Sequence, residues 1–398
     1  MTSDRIKLTL RIVIPLLSLL VFQGCIQDEL PNSEADILEC VVPDMPENII
    51  SGGKVTKPPL GGHSVKIWVV PGSEIGVFSP EFILSKGATI DPESGTSLDF
   101  SEGPQTYTVT SENGKYTKKY SVEINFAYSL QEGEKTLFSF EHYDEKPDIE
   151  TTKYPFYNVF YELNPNGGGK QYVWSSGNPG FALTNTRVSA DKYPTFSYEH
   201  GKEKRGVKLV TRSTGKLGAL VGMPLAAGNL FLGVFNVSSA MSDALGATQF
   251  GIRSGSQEPD TLKVWYKYQP GPDYKTKQGV ILKDKIDKPS IYSVLYDPEI
   301  DESGEAILLN GDNVLSASNI IAVAELSDED IIYGTDIESD PYTQVAIPFV
   351  KRKEIDPNKL KNREYFITVV FAASDKGKYF EGAENSVLCV DEVELIWK

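Results

Sequence analysis

The side chains able to do chemistry are scattered along the chain. Three histidines stand at 63, 142 and 200, and none belongs to an HExxH, a CxxC or another tight ligand spacing, which disfavours a zinc hydrolase. No GxSxG elbow, GxGxxG or phosphate-binding loop occurs, which sets nucleotide chemistry aside and weakens the case for an esterase. Carboxylates are plentiful. Cleaving a glycosidic bond takes two of them about 5–10 Å apart across the scissile bond. Glu141, Asp144, Asp297, Glu299, Asp391 and Glu392 are all candidates, and no pair stands out by spacing, so the catalytic residues stay unknown at this level. The acid-dense stretch from Asp297 to Glu305 lacks the Gly at position six of an EF-hand loop and reads as a solvated turn.

Aromatic side chains carry more information. Strand alternation over Leu262–Tyr268 puts Leu262, Val264, Tyr266 and Tyr268 on one face and Lys263, Trp265 and Lys267 on the other. A Trp between two Lys on its own face points towards solvent, where an indole can stack on the C–H face of a pyranose. Cover by a neighbouring domain or loop is the alternative for Trp265. Tyr172 and Trp174 are two residues apart, on one face of a strand, just before the loop Ser175–Gly180. Within that loop Asn178 can hydrogen-bond sugar hydroxyls, and core packing is the competing role for Tyr172. Trp265, Trp174, Tyr172 and Asn178 are therefore the candidate carbohydrate-binding residues.

The elements that must position these side chains are strands. Aromatics, Thr, Val and Gly recur, turn signals are frequent, and long 3.6-period apolar patterns are absent, which indicates an all-β chain. Residues 37–127 hold short strands, among them Val65–Val70 and a hairpin of Gln105–Thr110 and Lys115–Phe126 around Ser-Glu-Asn-Gly. Their number and length suggest an immunoglobulin-like β-sandwich. A second, larger domain covers 134–398. Its segments Ala226–Val234 and Glu364–Ala373, apolar at nearly every position, read as buried strands. The last segment, Ser386–Trp397, is apolar on both faces except at Asp391, Glu392 and Glu394.

The start of the chain concerns location. Arg5, Lys7 and Arg11 precede the apolar run Ile12–Phe22, which is shorter than the roughly 20 residues a spanning helix needs and fits a secretory signal peptide over 1–24. Phe22-Gln23-Gly24-Cys25 resembles a bacterial lipobox, which implies an acylated Cys25 followed by a linker over 25–36. Gln27-Asp28-Glu29 resembles the acidic tags of surface-exposed lipoproteins, which implies an outer-membrane protein at the cell surface. The formal net charge is −16 for the whole chain. Without residues 1–24 there remain 36 basic and 54 acidic residues, a net charge of −18. Such a surface repels phosphate backbones and anionic bilayers, so nucleic acid is excluded as a partner and the membrane is met only through the lipid. Besides Cys25 only Cys40 and Cys389 occur, far apart in sequence and expected to stay reduced.

Two stretches resemble known families. Phe82–Ile90, Ser94-Gly95-Thr96, Asp99-Phe100-Ser101 and Tyr107–Gly114 are similar to the immunoglobulin-like modules of surface glycan-utilisation lipoproteins, which act as spacers. Ala226–Gly233, Val264–Tyr268 and Phe380–Leu395 resemble the putative carbohydrate metabolism domain, a jelly roll of the galactose-binding kind. That resemblance implies a glycan or polysaccharide as ligand and other glycan-utilisation surface proteins as partners. It names no cofactor with certainty. Sandwiches of this kind can hold a structural calcium between an early Phe-Glu and an Asp of the last strand, and Phe140-Glu141 and Asp391-Glu392-Val393 resemble that pairing. Hydrogen bonding of Asp391 to backbone amides is the alternative. The expected function is thus carbohydrate binding or processing by an envelope lipoprotein. Non-catalytic binding is favoured over a glycoside hydrolase, and an adhesive protein without a sugar ligand is the third reading.

Overall fold

The computed structural model describes residues 31–42, 49–56, 63–69, 76–126, 130, 133–146, 157–163, 170–184, 188–301 and 306–398. The signal segment, Cys25 and Gln27–Glu29 lie outside the described residues. The chain divides into two compact units, one ending at Asn125 and the other running from Phe126 to Lys398, and both are built of antiparallel strands.

In the first unit Ile49–Thr56, Ser64–Val69, Thr117–Phe126, Gln105–Thr110 and Thr89–Asp91 follow one another in a sheet, while Ile37–Val41 pairs with Glu81–Leu84. Alternation selects the core: Val65, Ile67, Val69, Tyr107, Val109, Tyr120 and Val122 are all buried. In the expected hairpin Tyr107 faces Tyr120. Of the Asn-Gly pair at its turn only Gly114 takes a positive φ, 66°. Asn113 instead uses its side-chain oxygen to accept from Lys115 N at 2.9 Å and Ser111 Oγ at 2.8 Å, an Asx turn.

The second unit is a two-sheet sandwich with a curled larger sheet, the jelly-roll class expected. Among its described residues the smaller sheet has the order Thr195–Tyr198, Gly206–Val210, Val387–Trp397, Pro259–Gln269, Thr343–Pro348, with Lys135–Phe138 beside the C-terminal strand. The larger sheet is centred on Asn229–Phe235, Phe366–Ala372, Ser290–Tyr296 and Ile320–Glu325. Between the sheets lie Val264, Tyr266, Leu388 and Val390 from one side and Leu232, Leu295, Ile367, Val369 and Phe371 from the other.

The larger sheet is apolar on its other face too. Phe366 and Val370 alternate with Ile367, Val369 and Phe371, and Tyr292, Val294 and Tyr296 with Ile291 and Leu295. This outer layer, with Phe231 and Phe250, packs under loops that leave a cleft. Cys40 and Cys389 are buried and unbridged, each in its own unit.

Candidate functional site

The four candidate sugar-binding residues separate sharply in this fold. Trp174 is 1% exposed. Its ring packs edge-on against Phe138 and Phe140, at 5.1 Å each, and its indole N–H donates to Glu162 Oε1 at 2.9 Å. A ring so enclosed belongs to the core and offers no face to a sugar. Asn178 is buried as well. Its side-chain amide donates to Thr195 O at 2.7 Å and accepts from Thr195 N at 3.1 Å, standing in for a strand neighbour. Nothing of it remains for a hydroxyl.

Trp265 does share a face with Lys263 and Lys267, and that face is partly covered: Lys267 is buried, whereas Trp265 and Lys263 stay half-buried. Lys267 is buried along the rings of Tyr198 and Tyr342, with its ammonium on Ile337 O at 2.7 Å, and Lys202 sits 4.9 Å over the Trp265 ring. Lys267 therefore did not mark open solvent: a long aliphatic stem packs readily against aromatic rings, provided its charged end finds an acceptor.

Tyr172 is 43% exposed, whereas Trp174 two residues on is buried. The expected common face fails because the backbone changes partner between them. Lys170–Gln171 pairs with Glu162–Leu163, whereas Trp174–Ser175 joins the larger sheet beside Leu232 and Phe231. The outward turn places Tyr172 in a patch that sequence reasoning did not assemble. Its hydroxyl donates to Asp144 Oδ2 and its ring meets Tyr161 edge-on at 5.7 Å. Lys170 donates to both Asp144 oxygens, at 2.7 and 2.9 Å, and lies 4.6 Å over Tyr161. His142 stacks on Tyr161 at 5.5 Å and 13°. Alternation from buried Phe160 to outward Tyr161 was legible; the meeting of three separate segments was not.

Glu141 and Asp391 come to one loop, residues 199–205, as donors' targets. Asp391 Oδ2 accepts from the amides of Lys202 and Glu203 at 2.7 and 3.0 Å, its Oδ1 from Glu392 N at 2.8 Å, and Glu141 Oε1 from Arg205 N at 3.4 Å. Burial pushes the Asp391 carboxyl up to about 7 against the pull of these amides. Oxygens that face N–H groups do not suit calcium, which needs six to eight oxygen ligands. Among the described residues no three His, Cys, Asp or Glu gather as a metal site. The amide alternative accounts for Asp391. Of the other candidate acids, Asp297 pairs with Lys359 at 2.6 Å and Glu299 is exposed on a short strand, and both line one open groove with Glu354 and Asp356.

The cleft on the outer face of the larger sheet encloses about 200 Å³. Its floor includes Phe231, Tyr292 and Val370, and its walls Phe181, Phe235 and Met241. The loop that was expected to supply Asn178 contributes Gly177 and Gly180 instead, and Phe181 follows directly after it. Among the described residues a single carboxylate, Asp375, lines it.

Comparison with known proteins agrees with this architecture. Residues 57–124 match the family described as SGBP, N-terminal, a domain of surface glycan-binding proteins. Residues 139–396 match the family described as putative carbohydrate metabolism domain. A crystal structure of a putative glycoside hydrolase from Bacteroides thetaiotaomicron VPI-5482 is similar at 37% identity and a TM-score of 0.72, over 94% of this chain and 99% of that one. A second, of a putative glycoside hydrolase from Bacteroides vulgatus ATCC 8482, shows 35% identity and a TM-score of 0.58, over 68% of this chain and all of that one. No protein with a curated description matches. The larger unit, in which both sheets and every candidate site side chain described above are found, is the part that the second family covers, and the chain belongs to the putative carbohydrate metabolism domain family.

Proposed function

We propose that this protein is a lipid-anchored, cell-surface glycan-binding protein that holds carbohydrate on the Tyr172 patch and does not cleave it. One observation carries the reading. An aromatic ring 43% open to solvent stands beside a carboxylate and an ammonium fixed by mutual hydrogen bonds, Asp144 and Lys170. Sugar recognition asks for this combination. The C–H face of a pyranose covers an aromatic ring, while hydroxyls exchange hydrogen bonds with a charged acceptor and donor already held in place. Hydrolysis would need a second carboxylate across the bond. The patch is built around one, Asp144, and among the described residues the apolar cleft is lined by one, Asp375, so hydrolysis would have to be sought in the separate groove of Asp297, Glu299, Glu354 and Asp356.

The test has two arms on one preparation. A glycan array selects a ligand, which is then titrated against the parent, Tyr172→Ala and Asp144→Ala, and the same ligand is assayed for reducing-sugar release. Aromatic stacking contributes roughly 1–3 kcal/mol in the analogous case of nucleic-acid bases, so Tyr172→Ala should bind about tenfold more weakly or worse. Its melting temperature should stay near the parent's, because the side chain is exposed. Equal affinity in Tyr172→Ala rules out the patch, and sugar release by the parent rules out pure binding.

A further inference from the structure

The cleft on the outer face of the larger sheet differs chemically from the Tyr172 patch. Several polar side chains lining it are already committed within the protein. Asn229 accepts from Gly177 N at 2.7 Å, Ser374 bonds Asp287 and Thr211, each at 2.6 Å, Thr184 donates to Phe181 O at 2.9 Å, and Thr214 donates to Met223 O. A sugar entering here would exchange water for few partners, at a cost for each hydroxyl left unpaired. Phenyl rings, Met, Val and Ala make up most of the remaining wall. Its volume of about 200 Å³ is close to that of the dry, apolar cavities of roughly 150 Å³ known to admit a benzene ring.

Among the described residues two charged side chains line the cleft, Asp375 and Lys378, and they differ in their partners. Asp375 lies 3.9 Å from Lys288 and 3.6 Å from Lys376. Lys378 has its ammonium on a neutral carbonyl, Gly311 O, at 2.9 Å, and no carboxylate pairs with it among the described residues. Lys277, also without a carboxylate partner there, lies 5.3 Å over Phe380, another wall residue. At the edge of this aromatic-walled hollow Lys378 is thus an ammonium with no carboxylate of its own among the described residues, while Asp375 Oδ1 is a buried acceptor and Glu381 accepts from Lys277 N at 3.4 Å.

We infer that the cleft is a second ligand site, for a small aromatic carboxylate whose ring enters among Phe181, Phe231 and Phe235 and whose anionic end meets Lys378. The site is independent of the glycan reading and does not use the Tyr172 patch. Calorimetric titration of the purified protein with phenylacetate, 2-phenylethanol and acetate tests it. Phenylacetate should bind saturably, 2-phenylethanol about tenfold more weakly, and acetate not at all. Lys378→Met should lower phenylacetate to the level of the alcohol and leave the alcohol unchanged. Ala244→Trp, which puts an indole into the hollow from its wall, should abolish both, whereas Tyr172→Ala should alter neither. Failure of phenylacetate to saturate the protein near about 1 mM overturns the proposal. Unchanged phenylacetate binding in Lys378→Met overturns it equally, and that variant replaces an exposed side chain, so it remains informative should Ala244→Trp fail to fold.

Discussion

Glu162 and Trp174 show how a titratable group becomes part of a core. The carboxyl is enclosed against the indole that donates to it, and burial pushes it up to about 7. In the unfolded chain a glutamate titrates near about 4.3. Between those values the folded protein holds a proton that the unfolded chain has lost. The contribution to stability is therefore complete below about pH 4 and disappears as pH rises through about 7. Glutamine is neutral throughout and can still accept from Trp174. Glu162→Gln should thus melt with the parent near pH 4 and above it at pH 8. The gap should be a few degrees, corresponding to about 1 kcal/mol after screening at this half-buried position. Asp391, raised by burial in the same way, leaves some slope in the variant. Parallel melting curves for parent and variant over this range would show that Glu162 is ionised in the fold.

Strands apolar at nearly every position behave differently from alternating ones, and here they contribute to the cleft floor. Residues 230–233 and 366–371 are covered on both faces, so the period of two vanishes from their sequences and a nearly continuous apolar run remains. Their approach to the smaller sheet depends on Gly228. A Cβ built there would stand 2.3 Å from Pro194 O and 2.3 Å from Val210 N, and both are backbone atoms that no rotamer change can move. The Gly228 amide also donates to Val210 O at 3.1 Å, and its carbonyl accepts from Ala373 N at 2.8 Å, so the close approach is hydrogen-bonded on both sides. Gly228→Ala should cost about 1–3 kcal/mol in denaturant unfolding, the usual range for overpacking. A midpoint equal to the parent's would mean that the sheets separate freely at this point. In the C-terminal strand, Glu392 at φ 45° forms a bulge opposite Val264, which turns Asp391 inwards to the amides of the 199–205 loop.

For the molecule as a whole, charge and location are linked. A surface of net charge −16 is repelled by anionic lipid headgroups, so a membrane position for this protein rests on acylation of Cys25. If the lipobox resemblance is right, palmitate fed to expressing cells should label the protein, and Cys25→Ala should lose the label and leave the precursor uncleaved at this site. Full labelling of the variant removes the anchor from the proposed function. Two acyl chains suffice for stable attachment where one does not.

The chain's own pattern was enough to establish an all-β class, the hairpin around Asn113-Gly114, the doubly buried strands and the resemblance to a carbohydrate-associated family. All of these depend on residues close together in sequence, through alternation, turn chemistry or contiguous motifs. Exposure does not. Alternation correctly put Trp265 and Lys267 on one face, yet Lys202 and Ile337 lie over that face because chain segments 63 and 70 residues away return to it. Asp391 is satisfied by an amide 189 residues earlier. Tyr172 and Trp174 part company because one is held by a short hairpin and the other by the larger sheet. The Tyr172 patch draws on segments around residues 142, 161 and 170, and the cleft joins Phe181 to Lys378. Which side chains meet, and which stay wet, follows from the packing of distant segments, because burial is a property of the surface two elements share, and neither element's sequence records the other.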